Sequence, residues 1–247
     1  MNSTAVHHSP TTPDISTNTT PNTTTNTSTS SGRSRWAAAG WLAGLAAIPV
    51  FVVVTGGVMV PTDAYVDNEL VLAELDGAAG WVWGFQTGSV AIALLVAVFG
   101  LGLRRRLAGQ TPAGSILPDL AAAGMLLVAA LTLVGGGIST EMFHSLRHTD
   151  EIDPDTVAAH LVIFNTMAWV WAGGLLTTAA TAIAGLRHGA VGRKLATFSA
   201  VMTGLIAITQ LVPLQYLAVL PVTLFLIVAG VVLQREAKPE LGVGARR

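Results

Sequence analysis

Glu141, His144 and His148 stand at i, i+3 and i+7 in the segment TEMFHSLRHTDEIDPDTVAAHLVIFN (140–165). On a helix these positions share one face. Glu-x-x-His and His-x3-His are spacings that bring two side chains to a single ion. His160, from the helix that follows, supplies a further ligand. The chemistry implied is zinc or another divalent metal held by Glu141, His144, His148 and His160, as in a metal-binding protein or a metal-dependent membrane enzyme. The competing reading is a solvated loop whose histidines simply titrate, because the segment lacks HExxH. The chain has no cysteine, which excludes disulfides, thiolate metal sites and cysteine nucleophiles. It carries no G-x-S-x-G, Walker A or dinucleotide fingerprint. No basic patch interleaved with aromatics points to nucleic acid. The sequence leads to no expected cofactor other than such a metal.

A second constellation is defined by depth rather than spacing. Gln86, Glu141, His144, His160, Asn165, Gln210 and Gln215 all fall near one end of the apolar segments. Polar side chains at membrane depth face a bundle interior or a wet cavity. Their shared depth therefore predicts a shallow, outward-facing polar pocket. The alternative is a set of ordinary interfacial residues at helix ends.

The elements that must position these residues are membrane spans. Only 11% of the chain is charged and 51% is hydrophobic, against roughly 25% charged in a soluble domain. With the charges confined to short clusters, the expected fold is an all-α polytopic membrane bundle. Six transmembrane helices are expected, at about 36–60, 81–103, 116–139, 160–186, 195–212 and 215–234. Pro49 sits inside the first, where a kink is tolerable if neighbours satisfy the freed carbonyl. Gly40 and Gly44 form a small-xxx-small pair, a spacing that permits close helix approach but is frequent by chance in a chain with 26 glycines. The acidic stretch DNELVLAELD (67–76) reads as a short helix at the membrane surface. Asp119, after Pro118, suits the first turn of the third helix. Gly135-Gly136-Gly137 closes that span and invites a bend or a close contact. Asp153, Pro154 and Asp155 give a strong start signal for the fourth helix, which is expected to run to about Leu186. The uncharged run 195–234 is too long for one helix, and Val212–Tyr216 supplies a turn within it.

Residues 1–35 form a Ser/Thr/Asn-rich tail with almost nothing apolar to bury, expected to be disordered. Residues 235–247 form a second polar tail. The N-terminus, the second and fourth loops and the C-terminus carry twelve of the thirteen Lys+Arg, with Arg147 the exception. The positive-inside rule then places both termini in the cytoplasm and the protein in the inner membrane.

The Gly-rich first span, the Pro-Thr-Asp turn (Pro61–Asp63), the amphipathic acidic loop and the Leu-Arg-Arg-Arg end of the second helix (Leu103–Arg106) resemble small six-span bacterial integral membrane proteins classed only as a domain of unknown function. The resemblance covers most of 36–234 and implies no activity. The leading functional expectation is a multi-pass membrane protein acting as a small-solute carrier, a sensor or a partner-binding subunit. Its partners would be the lipid bilayer and a membrane or regulatory protein.

Overall fold

The structure, a computed structural model, describes residues 32–54, 56–212 and 214–236. The expected disordered run before residue 32 and the tail after 236 lie outside the described residues. Among those described, the chain is helical with no strand. Eight α-helices follow in order: α1 (Gly32–Ile48), α2 (Asn68–Glu74), α3 (Ala79–Ala108), α4 (Leu117–Arg147), α5 (Pro154–Asn165), α6 (Gly174–His188), α7 (Arg193–Leu211) and α8 (Val219–Glu236). Five helical runs are long and apolar enough to cross a membrane: α3, α4, the composite Pro154–His188, α7 and Gln215–Glu236. A further apolar helix, Arg35–Phe51, is shorter.

The helices close a ring. α1 packs on α3, α3 on α4, α4 on α6, α6 on α7, α7 on α8, and α8 returns to α1. Inward faces follow from periodicity. On α3 the buried stripe is Phe85, Ser89, Ile92, Val96, Phe99, Leu103 and Leu107. On α4 it is Ala121, Met125, Val128, Thr132, Gly135, Ser139 and Met142. Both step by three and four residues, the spacing that keeps one seam of a helix toward its neighbours. The outward faces carry exposed Leu94, Val98 and Leu101 on α3, Leu126, Leu127, Leu133 and Val134 on α4, and Val201, Leu205 and Ile208 on α7. A water-soluble monomer rarely shows contiguous apolar surface on that scale. The belt belongs in a bilayer.

Close approach depends on small residues. A Cβ on Gly40 would enter the Phe99 ring, and one on Gly44 would lie 2.9 Å from the Thr223 carbonyl of α8. The Gly40/Gly44 pair, unremarkable by spacing alone, is thus a true contact surface. At the tightest point a Cβ on Gly230 would lie 2.5 Å from the Trp41 backbone nitrogen and 2.8 Å from the Ala37 carbonyl. One turn on, Trp41 Nε1 donates to Gln234 Oε1 at 2.7 Å. Between α4 and α6, Thr177 Oγ1 donates to the Ala121 carbonyl at 2.8 Å, fully buried.

Several helix bounds differ from those expected. α4 does not stop at its glycine triplet but continues as α-helix to Arg147. Gly135 is where Met167 packs, and the Ser139 and Thr140 hydroxyls donate to the Gly135 and Gly136 carbonyls at 2.9 and 3.1 Å. Glycine is used there for contact rather than for a turn. The composite run Pro154–His188 is not one helix. A 3-10 stretch, Met167–Gly173, separates α5 from α6. The chain turns π-helical beyond α1, over Pro49–Val54, where proline cannot donate to the preceding turn. Other signals hold. Asp153 caps α5 by accepting from the Asp155 N–H at 2.9 Å. The acidic helix α2 forms, with Val71 buried beside α5 and Asn68 Nδ2 donating to Asp155 Oδ1 at 2.6 Å. Asp119 pairs with Arg104 at 2.6 Å in an exposed site.

Candidate functional site

The irregular backbone collects at one end of the ring, opposite the basic one. The π turn Pro49–Val54, the 3-10 turn Thr62–Val66, the 3-10 stretch Met167–Gly173 and the 3-10 turn Gln215–Ala218 all meet there. Local chemistry helps to break the composite run Pro154–His188. The Thr166 hydroxyl donates to the Ile163 carbonyl at 2.6 Å, competing with the regular ladder. Beyond the break, Gly174 lets Val222 of α8 sit against the backbone. Non-helical backbone at membrane depth is tolerated where it is covered by protein or lines a cavity, and a mid-helix 3-10 stretch often marks a functional hinge.

A cavity of about 610 Å³ lies among these turns. Its floor is aromatic: Phe51 from the π turn, Phe85 from α3 and Phe164 from α5. Phe85 stands 4.7 Å from Phe164 and 5.2 Å from Phe51 between ring centroids, tilted or edge-on as aromatic pairs prefer. Met167 and Ala168 form one wall, and Leu217, Val219 and Leu220 another. The rim is amphipathic. Tyr65 and Tyr216 are exposed there, and Asn165 Nδ2 donates to the Tyr65 phenol at 3.3 Å. The volume falls in the range that drug-sized ligands occupy, roughly 300–1,000 Å³. Among the described residues, its lining carries no carboxylate, histidine, lysine or arginine. The site can bind a neutral apolar or amphipathic molecule.

The residues expected to form a polar pocket are distributed differently. Asn165 lines the cavity; the other six are not among its lining residues. Gln86 is half-buried on α3 and accepts from the Thr87 hydroxyl at 3.4 Å. Gln210 accepts from Trp169 Nε1 at 3.1 Å. Gln215 is half-buried at the start of its 3-10 turn. Glu141 and His144 are exposed on the last turns of α4.

The histidine cluster is partly assembled. His144 and His148 bring their rings to 4.3 Å. Because a carbonyl can only accept, His148 Nδ1 donates to the His144 carbonyl at 2.9 Å, leaving Nε2 for other partners. His160 does not join them. Its Nδ1 lies 3.2 Å from the buried Ser145 hydroxyl, whose own proton goes to the Glu141 carbonyl at 2.9 Å. That arrangement makes Nδ1 of His160 a donor. Among the described residues no group of three or more His, Asp or Glu side chains is placed to hold a metal ion.

Sequence reasoning missed the aromatic floor. Phe51, Phe85 and Phe164 belong to three helical segments far apart in the chain. The available signal was that each stands near the same end of its apolar run, the argument applied above to the polar residues. No protein-family model, curated protein or solved structure matches this chain.

Proposed function

We propose that this chain is a six-span inner-membrane protein that binds a small apolar or amphipathic molecule in the aromatic pocket, as a carrier or a sensor, with both termini cytoplasmic. α1 and its π turn make the sixth crossing. The uncharged run from Trp36 to Val54 covers about 28 Å at about 1.5 Å per residue, close to a hydrocarbon core near 30 Å. The basic residues gather where α1, α4 and α7 begin and α3, α6 and α8 end. That pattern supports a cytoplasmic placement of this end and an outer placement of the pocket.

One observation carries the ligand-binding reading: four irregular helical turns surround one aromatic-floored cavity. A bundle needing only stability would keep its helices regular there, because each break leaves backbone groups to satisfy. The test uses full-length protein in nanodiscs and the neutral fluorescent probe N-phenyl-1-naphthylamine, with empty nanodiscs as blank. Fluorescence should rise saturably. Ala168→Trp, which fills the cavity from its wall, should weaken the probe's affinity at least about tenfold, the loss expected when a ligand is sterically displaced. Unchanged binding in a folded Ala168→Trp variant overturns the assignment.

A further inference from the structure

Beneath the aromatic floor, three buried polar atoms have no hydrogen-bond partner among the described residues: Ser89 Oγ, Thr132 Oγ1 and Trp171 Nε1. Their residues are 0%, 4% and 0% exposed. This departs from the rest of the bundle. Ser139, Ser145, Thr181 and Ser199 each donate to the carbonyl four residues earlier, the usual way a helical hydroxyl is satisfied away from water. Ser89 and Thr132 do not, although both occupy inward stripes of long regular helices.

The three residues lie at one level of the bundle. Gly136 of α4 abuts α3 at Gln86 and Val90, and Gly135 abuts Met167. Ser89 stands one turn inward of Gln86, Thr132 about one turn inward of Gly135, and Trp171 about one turn inward of Met167. All three are buried, so all face the interior. The pocket is immediately above them. Phe51 and Phe85 form its floor, Ser89 is one turn below Phe85, and the Trp171 ring lies 5.2 Å from that of Phe51.

Their chemistry restricts what could meet them. The indole N–H only donates, and each hydroxyl has a proton to give. The buried polar side chains of the described residues are serines and threonines, with no buried charge. An ion brought to this level would find no counter-charge. A molecule offering acceptors but no charge would satisfy the donors, and buried donors are costly to leave unmet.

We infer that Ser89, Thr132 and Trp171 bind the polar end of a neutral, membrane-soluble carbonyl compound whose apolar ring occupies the outer pocket. The inference rests on the ligand-binding reading of that pocket and adds the ligand's chemical class. Phe51, which lines the pocket and packs edge-on against both Phe85 and Trp171, is the ring that the ligand's polar end would have to pass. The ligand's carbonyl oxygens accept from the hydroxyls and the indole, and its hydrocarbon part stays among Phe85, Phe164 and Met167.

Two probes of nearly the same shape separate the parts of this claim: 2-methyl-1,4-naphthoquinone, with two carbonyl acceptors, and 2-methylnaphthalene, with none. The chain contains no cysteine, so the quinone has no thiol to alkylate. Binding is measured by calorimetry on full-length protein in nanodiscs, against empty nanodiscs. Wild type should bind the quinone about tenfold or more tighter than the hydrocarbon, the gain expected from satisfying buried donors. The near-isosteric Thr132→Val and Trp171→Phe variants, and the triple variant with Ser89→Ala, should lose that preference and keep hydrocarbon binding. Retained hydrocarbon binding also reports that each variant is folded. If the triple variant fails to fold, Thr132→Val alone carries the comparison. Equal affinity of wild type for both probes overturns the donor assignment and leaves the pocket standing. A preference that survives the variants overturns it too. Failure of both probes to bind removes the pocket and the inference with it.

Discussion

Gly230→Ala is the most informative single perturbation of this bundle. The new methyl would meet backbone on α1, with the Trp41 nitrogen at 2.5 Å and the Ala37 carbonyl at 2.8 Å. Backbone cannot rotate aside as a side chain can. Restoring an ordinary contact requires α1 and α8 to part by about 0.9 Å. The Trp41 Nε1–Gln234 Oε1 bond, 2.7 Å long, lies one turn from that point and would be stretched beyond hydrogen-bond range. Overpacking of this kind costs about 1–3 kcal/mol, and an interhelical hydrogen bond in a membrane contributes about 0.6 kcal/mol. A loss of roughly 2–3 kcal/mol lowers Tm by roughly 5–10 °C for a chain of this length. Gly204→Ala is the control. It sits inside α7, where an added Cβ meets nothing within 4 Å, so helix propensity alone applies and Tm should hold or rise slightly. The assay is thermal unfolding of detergent-purified protein followed by circular dichroism. Equal Tm values for the two variants would refute the backbone contact and the pairing of α1 with α8.

Removing the α5 cap by Asp153→Ala should cost about 1 kcal/mol and raise hydrogen exchange across Pro154–Asn165, with the α3 and α4 amides unchanged. Reporter fusions after Leu107 and after Arg247 should read cytoplasmic and those at Asp67 and Asp150 external; opposite signals at the two ends would mean an odd number of crossings. Zinc at tens of micromolar should leave Tm within about 2 °C, because two histidines without further ligands make a weak site. A rise of several degrees, abolished by His148→Ala, would restore the metal reading.

Legibility differed by the kind of signal. Capping is local, so Asp153-Pro154 announced α5 within a few residues. The acidic helix α2 and the turn dividing 195–234 were readable for the same reason. Helix interruptions were not. The Thr166 hydroxyl is a local contributor to the break, but the packing that accompanies it, Met167 in the notch at Gly135 and Val222 against Gly174, involves partners that sequence order does not reveal. Depth in the membrane was legible and azimuth was not. Gln86, Gln210 and Asn165 do stand near one end, yet Gln86 and Gln210 bond to residues near them and Asn165 turns to the cavity. The glycine triplet left a bend and a close contact both open, because one residue type serves both, and only the packed position of Met167 decides for contact. The aromatic floor needed three separate helical segments to be superposed, and hydropathy treats Phe51, Phe85 and Phe164 as undistinguished parts of their runs.

The ring of helices imposes an order on biosynthesis. Trp41 and Gln234 are bonded yet stand 193 positions apart. At 5–20 residues per second, roughly 10–40 s of translation separate them. Throughout that interval α1 can lean on α3, but its Gly44 face has no α8 to meet. A nascent chain therefore holds an unfinished seam in the lipid until the last crossing inserts. Ribosomal stalling or premature termination before residue 219 would release a product with that seam open, a substrate for membrane proteases or for pairing with the same face of another truncated copy.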